Sequence, residues 1–144
     1  MLQYSTLINY QEKDLFGKQP RKMRVIVPKV DFNKVSIWKP RTKAEGMYEN
    51  YKAKSKMSEM QEMISMDPKW DDKFKCFRLN FKGRVKMRSV KNYKLCRTYD
   101  DSVCISQFGK VEKDVFNIDV RYPFSIMQAF GVAISSLDMK LLCR

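Results

Sequence analysis

The segment from Tyr122 to Leu137 constrains the fold of this chain more strongly than any other stretch. It reads YPFSIMQAFGVAISSL, and its apolar side chains point in nearly all directions around a helical wheel. A helix that is apolar on every side either spans a membrane or is enclosed by protein. The apolar run is about 14 residues long, short of the roughly 20 that a bilayer requires. The segment therefore predicts a helix enclosed by the rest of the domain, with a membrane-inserted hairpin as the alternative.

Four side chains of this segment are predicted to fill the contacts of the enclosed helix: Phe124, Met127, Phe130 and Ile134. Pro123 suits a first helical position, where its missing N–H costs no hydrogen bond. If Phe130 is buried, its replacement by alanine should destabilise the domain by about 3–5 kcal/mol. A helix of this kind needs a surrounding wall, which the upstream chain must supply.

The upstream chain carries several strand patterns. Residues 78–88 alternate strictly between apolar residues on one face and polar or basic residues on the other. A period of two is typical of a half-buried antiparallel strand. Further strands are predicted at residues 6–10, 23–28, 102–108 and 110–120.

Residues 44–66 show a different pattern, with apolar residues three and four positions apart. This spacing predicts one or two amphipathic helices that pack on the core. The fold class is therefore α+β: an antiparallel β-barrel or half-barrel wrapped around a buried hydrophobic C-terminal helix. The apolar residues of this pattern are Met47, Tyr48, Tyr51, Met57, Met60, Met63 and Ile64.

The charge of the chain indicates an anionic partner. There are 29 Lys and Arg against 16 Asp and Glu, which gives a net charge of +13, and there is no histidine. Without histidine, neither a Ser-His-Asp nor a Cys-His nucleophile can form, and no carboxylates converge, so we expect no enzyme. Residues 123–144 hold only two basic residues and one acidic residue, so the charge lies upstream. Nucleic acid, an anionic membrane surface and plain solubility are the interpretations that remain.

The four cysteines do not predict a metal site. They are Cys76, Cys96, Cys104 and Cys143, and none forms a CxxC pair. We therefore expect no metal and no cofactor. We expect no signal peptide in the first residues, MLQYSTLINY. Reduced thiols in an intracellular protein are the expectation.

The chain also carries long, ordered motifs over most of its length. They are Pro20-Arg21-Lys22-Met23, Leu79-Asn80-Phe81, Gly83-Arg84-Val85, Ser89–Tyr93, Gln107–Val111, Asp114–Phe116, Tyr122-Pro123 and Gln128–Phe130, then Ser135-Ser136, Asp138, Lys140-Leu141 and Cys143. With this order and spacing, the chain resembles the C-terminal half of the tubby domain, from about residue 4 onward. The resemblance implies a closed twelve-stranded antiparallel barrel around one central hydrophobic helix. It also implies that residues 1–144 are a partial domain, without the first several strands of that barrel.

The resemblance implies a function as well. Tubby-like proteins bind phosphoinositides, and many act as adaptors that deliver membrane receptors into cilia. We therefore expect a phosphoinositide-linked, membrane-associated adaptor, cytoplasmic and peripheral at the plasma membrane or cilium, with the nucleus as a further location. Its partners would be a phosphoinositide-containing membrane surface and ciliary trafficking machinery or receptor cargo. The alternatives are a nucleic-acid-binding or transcription-related protein, and a fragment that acts only in protein interaction.

Two basic rows are the candidate lipid- or anion-binding residues. The headgroup ligands of the family lie mainly on earlier strands, so none is carried over to this chain. Each exposed cation near an anionic leaflet contributes about 1 kcal/mol. The alternative for both rows is a solvated outer barrel face, and unpaired strand edges predict an oligomer. The rows are Lys18, Arg21, Lys22 and Arg24, and Lys82, Arg84, Lys86 and Arg88.

Overall fold

A computed structural model describes residues 6–10, 22–33 and 35–138. Most of these residues belong to one curled antiparallel sheet and to the helix that packs on it. The strands are β1 (Leu7–Tyr10), β2 (Met23–Pro28), β3 (Met60–Ser65), β4 (Lys69–Asp71), β5 (Cys76–Arg78), β6 (Tyr93–Arg97), β7 (Asp100–Glu112) and β8 (Val115–Val120). The helices are α1 (Met47–Lys52), α2 (Ile126–Leu137) and a single 3₁₀ turn at Met57–Glu59.

The main sheet has six strands in the order β1-β2-β3-β6-β7-β8, and every neighbouring pair is antiparallel. It curls into a half-barrel, while β4 and β5 form a separate two-stranded sheet. The prediction of an α+β partial barrel with a C-terminal helix is confirmed. The strands predicted at residues 6–10, 23–28, 102–108 and 110–120 are present, the last two as parts of the β7–β8 hairpin.

The sheet buries apolar residues on both of its faces. The inner face holds the larger cluster, in which Val25 and Val27 of β2 and Phe108 of β7 pack against α2. Phe108 also stacks on Phe116 of β8, with ring centroids 4.9 Å apart. On the outer face, Trp38 and other residues from the segment around α1 cover β2 and β3 in a second cluster. This packing holds β2 and β3 from both sides.

Helix α2 begins with a capping box rather than at the proline. The Ser125 hydroxyl accepts a hydrogen bond from the Gln128 backbone N–H (3.1 Å), and the Gln128 side chain accepts one from the Ser125 N–H (2.9 Å). This reciprocal pair satisfies two of the backbone donors that a helix start leaves open. The helix therefore starts at Ile126, three residues after Pro123.

The prediction that α2 is enclosed on every side is wrong for the described structure. One face, formed by small residues such as Ala129 and Ala133, is buried against the sheet, and Phe124 just before the helix is buried as well. Met127, Phe130 and Ile134 instead point away from the sheet, with 76%, 52% and 49% of their surface exposed. The reason is geometric, because a six-stranded sheet covers only one side of the helix. The local sequence pattern of α2 does not specify how many strands pack around it.

The helical prediction for residues 44–66 is correct only for α1. Residues 60–65 form β3, which lies between β2 and β6. Met60 and Met63 are three apart, so on a strand they point to opposite faces. Met63 is buried in the inner cluster and Met60 in the outer one. A strand that is covered on both faces thus produced an apolar spacing that resembles a helix.

Candidate binding surface beside the 79–91 loop

The loop at residues 79–91 connects β5 to β6 and holds the second basic row. The prediction of one strand over residues 78–88 is wrong, because a turn interrupts it. The Asn80 carboxamide accepts a hydrogen bond from the Lys82 N–H (2.9 Å), and the Arg84 N–H donates to the Phe81 carbonyl (3.0 Å). Lys82 and Gly83 both take positive φ values, 49° and 80°. A left-handed pair of this kind belongs to a turn and ends the alternation.

The 79–91 loop is docked on the outer face of the sheet. Its Val85 side chain lies so close to Gly109 of β7 that a Cβ at that position would overlap it. The backbone N–H groups of Lys86 and Met87 both donate to the Lys110 carbonyl at 3.0 Å. Glycine at position 109 is therefore required for the close approach of the loop to the sheet.

Asn92, which is almost fully buried, ties the end of this loop to the same strand. Its side-chain oxygen accepts from the Lys110 N–H, and its side-chain nitrogen donates to the Met87 carbonyl, each at 2.9 Å. One amide thus replaces two of the backbone hydrogen bonds that a regular ladder would supply.

Arg84 is held by an ion pair with the sheet. Its Nε and Nη2 donate to the two carboxylate oxygens of Asp119 at 3.1 and 2.8 Å, and the Gln107 side chain donates to the same carboxylate at 2.7 Å. These hydrogen bonds, with that of Arg84 as the largest cause, lower the pKa of Asp119. The hydrogen bond from Arg84 to Asp119 likewise raises the pKa of Arg84. This bidentate pair anchors the loop, so the Arg84 charge is already compensated.

The other three cations of this row remain available. Lys82, Lys86 and Arg88 are exposed, and within the described residues none of them has a carboxylate partner. Arg88 instead donates to the Cys76 sulfur, with 3.4 Å between the two atoms. These three residues therefore present uncompensated positive charges on a backbone that is fixed to the sheet.

The first basic row is not part of this arrangement. Lys18 and Arg21 lie outside the described residues. Lys22 pairs with Asp67 at 3.0 Å, and Arg24 pairs with Glu62 at 2.9 Å across β2 and β3. A hydrogen bond from Arg24 to Glu62 is the main reason that the pKa of Arg24 is raised. Two strands of the sheet, β3 and β6, separate this row from β7 and the 79–91 loop.

A group of exposed aromatic rings lies beside the loop, and the sequence reasoning missed it. The rings of Trp70, Phe74 and Phe77 are 51%, 51% and 58% exposed, and we call them the aromatic surface. They line a groove of about 710 Å³ together with Arg78, Lys86 and Arg88. The stretch KWDDKFKCFR, residues 69–78, places three aromatic residues among four basic ones, and this is the signal that could have identified the surface.

A metal site is absent from residues 6–10, 22–33 and 35–138. In these ranges, no group of three or more Cys, Asp or Glu side chains is placed to hold a metal ion. No helix there combines the length and the apolar character needed to cross a membrane. Cys76, Cys96 and Cys104 are free thiols, and burial is the main cause that raises the pKa values of Cys96 and Cys104. Cys143 lies outside the described residues.

Comparison with known proteins identifies the family. The model of the Tub family matches residues 3–139, which is nearly the whole chain. The chain belongs to the Tub family. It is 39% identical over 138 residues to Tubby-related protein 3 from Mus musculus, and 40% identical over 140 residues to Protein king tubby from Drosophila pseudoobscura pseudoobscura. These alignments cover 95% and 96% of the chain but only 30% of either relative, so the chain spans about a third of their length.

The Tub family match confirms the resemblance that the motifs indicated. Its bounds include β2, the aromatic surface, the 79–91 loop and α2. The aromatic rings and the three uncompensated cations therefore lie within the matched region.

Proposed function

We propose that this Tub-family chain is a non-enzymatic, phosphoinositide-linked adaptor that binds the cytoplasmic surface of membranes and acts in membrane or ciliary protein trafficking. The observation that carries the proposal is the set of three exposed, uncompensated cations on the 79–91 loop, Lys82, Lys86 and Arg88. Family membership supports it, because the curated relatives are tubby proteins.

The electrostatic strength of such a site follows from its charges. Each Lys or Arg close to an anionic leaflet contributes about 1 kcal/mol, so three would strengthen binding by roughly two orders of magnitude. The loop backbone is already fixed by Asn92 and by the Arg84–Asp119 pair, so binding would not have to order it. A fixed loop loses less conformational entropy on binding than a free one, which favours affinity.

Co-sedimentation with lipid vesicles tests the proposal. We expect weak binding to pure phosphatidylcholine vesicles and stronger binding when phosphatidylserine is added. At the same total charge, vesicles with a phosphatidylinositol bisphosphate should bind most strongly, because a polyvalent headgroup concentrates charge at the three cations. All binding to anionic vesicles should weaken as salt is raised.

Charge reversal supplies the matched comparison. The double variant Lys82→Glu, Lys86→Glu should bind bisphosphate vesicles at least tenfold more weakly than the wild type, because each site changes from attraction to repulsion. The control is the double variant Lys39→Glu, Lys43→Glu, which changes two exposed lysines near α1 and has the same net charge as the loop variant. It should bind bisphosphate vesicles far more strongly than the loop variant. Equal binding of the wild type to neutral and to bisphosphate vesicles would refute the proposal.

A further inference from the structure

We infer that the β4–β5 hairpin inserts the aromatic surface, Trp70, Phe74 and Phe77, into the interface of an anionic lipid bilayer while the neighbouring cations contact its headgroups. The inference rests on the proposed function, because it names how the same membrane surface would be held. It differs in that it assigns a role to apolar side chains and not to charge alone.

The first step is that the three rings form one exposed patch. Trp70 and Phe77 face each other across the two strands in a T-shaped contact, with ring centroids 5.2 Å apart. Phe74 lies in the turn between the strands. Exposed groups of large apolar side chains usually mark a binding site.

The second step is that the hairpin is preformed. The Asp71 carboxylate accepts hydrogen bonds from the backbone N–H groups of Lys73 and Phe74, at 3.0 and 3.1 Å. Lys75, with a φ of 49°, completes the turn. The hairpin thus places Phe74 at its tip and the other two rings behind it, so insertion requires no folding step.

The third step is the charge around the rings. Residues 66–92 contain nine Lys and Arg and only three acidic residues. All three carboxylates lie within 4 Å of a cation: Asp67 pairs with Lys22, Asp71 with Arg78, and Asp72 with Lys75. The rim of the aromatic surface is therefore positive and has no uncompensated carboxylate within the hairpin or the loop. This complements an anionic bilayer.

The chemistry of the rings favours a bilayer over a nucleic acid. Bases bind to aromatic side chains by stacking on open ring faces. The Arg78 guanidinium carbon lies 4.1 Å from the centre of the Phe74 ring, and Trp70 is in edge contact with Phe77. These contacts leave fewer ring faces open for stacking, whereas partitioning into the membrane interface requires only exposed apolar surface. Trp and Phe next to Lys and Arg are typical of membrane-surface segments.

Tryptophan fluorescence of the full chain tests insertion directly. The chain has two tryptophans, and Trp38 is only 8% exposed, with its indole N–H bonded to the Glu45 carbonyl at 3.1 Å. With vesicles of phosphatidylcholine and phosphatidylserine that carry brominated acyl chains, we expect a blue shift and quenching from Trp70. The variant Trp70→Phe should bind the same vesicles and show neither change.

Ring removal gives the quantitative test. Phe74→Ala and Phe77→Ala should each weaken partitioning into the phosphatidylserine vesicles about tenfold, since each removes a ring from the inserted surface. The control is Phe32→Ala, which removes a 93% exposed ring outside the hairpin and should leave partitioning unchanged.

The outcomes separate this inference from the proposed function. If the wild type binds anionic vesicles but Trp70 is not quenched and both alanine variants bind normally, the inference is overturned while the proposed function stands. If nothing binds anionic vesicles even at low salt, both fail. If the alanine variants lose affinity for a single-stranded oligonucleotide and keep their affinity for vesicles, the rings bind nucleic acid and the inference is overturned.

Discussion

Two groups of exposed apolar side chains in the described structure have very different surroundings. One is the outward face of α2, formed by Ile126, Met127, Phe130 and Ile134. The other is the aromatic surface of the β4–β5 hairpin. The stretch from residue 123 to residue 138 contains no Lys or Arg, whereas residues 66–92 contain nine. The difference teaches that exposure alone does not distinguish the two surfaces, whereas the neighbouring charge makes only the aromatic surface complementary to an anionic bilayer.

The largest predicted effect tests whether the outward face of α2 lies outside the core. Phe108→Ala should reduce the free energy of unfolding by about 3–5 kcal/mol, because the ring is buried and stacks on Phe116. Phe130→Ala should cost no more than about 1 kcal/mol, because half of that side chain is exposed. Urea denaturation of the two variants measures both values. A cost for Phe130→Ala as large as that for Phe108→Ala would mean that this face is covered in solution.

The next effect concerns how the cations are held beside the aromatic surface. Gly109→Ala should destabilise the domain by about 1–3 kcal/mol, because the new methyl group overlaps Val85 and pushes the 79–91 loop off the sheet. Binding to bisphosphate vesicles should fall at the same time. The double variant Gly109→Ala, Val85→Ala should recover part of both losses, and an absence of any recovery would exclude this contact as the cause.

A smaller effect should appear when a cation is added to the uncharged surface. Gly131 lies among the outward residues of α2, and a Cβ there meets no atom within 4 Å. Gly131→Lys should change affinity for phosphatidylserine vesicles by less than about twofold, because this face does not contact the leaflet and the attraction falls off within a Debye length. Gly131→Gln controls for the gain in helix propensity and should also leave affinity unchanged. A gain of roughly fivefold for Gly131→Lys alone, the effect of about 1 kcal/mol from one cation near the leaflet, would mean that this face contacts the membrane.

The smallest effect is the response to acid of the Arg84–Asp119 ion pair, which anchors the 79–91 loop. Hydrogen bonds from Arg84 and Gln107 hold the pKa of Asp119 below its usual value. A group with a lowered folded-state pKa stabilises the fold above its unfolded pKa, and this contribution is lost as pH falls through the folded value. Acidification below about pH 4 should therefore weaken the anchor, by less than about 1 kcal/mol for so exposed a pair. Urea midpoints at pH 6 and pH 3 should differ less for Asp119→Asn than for the wild type.

The elements predicted correctly are those whose local hydrophobic pattern matches the burial that they have in the fold. β2 has the predicted bounds, and the β7–β8 hairpin contains both strands expected there. β3 was missed because it is buried on both faces, so that Met60 and Met63 imitated a helical spacing. The burial of α2 was overestimated because the extent of the wall depends on distant strands and not on the helix itself.

The candidate site was predicted in part, for a similar reason. The basic row of residues 82–88 is exposed as expected, but Arg84 is committed to Asp119, a residue 35 positions away. No local pattern shows such a pair. The aromatic surface was missed because the prediction considered only the alternating pattern of residues 78–88, which it assigned to a strand. The preceding stretch, residues 69–78, was not interpreted as a binding surface.

The central claim is that the aromatic surface, and not the outward face of α2, contacts the membrane. Partitioning of Phe77→Ala and Ile126→Ala into phosphatidylserine vesicles, measured side by side, tests it most directly, because both side chains are mostly exposed. We predict about a tenfold loss for Phe77→Ala and a change of less than about twofold for Ile126→Ala. An equal loss in both variants, or a larger one for Ile126→Ala, would contradict the account.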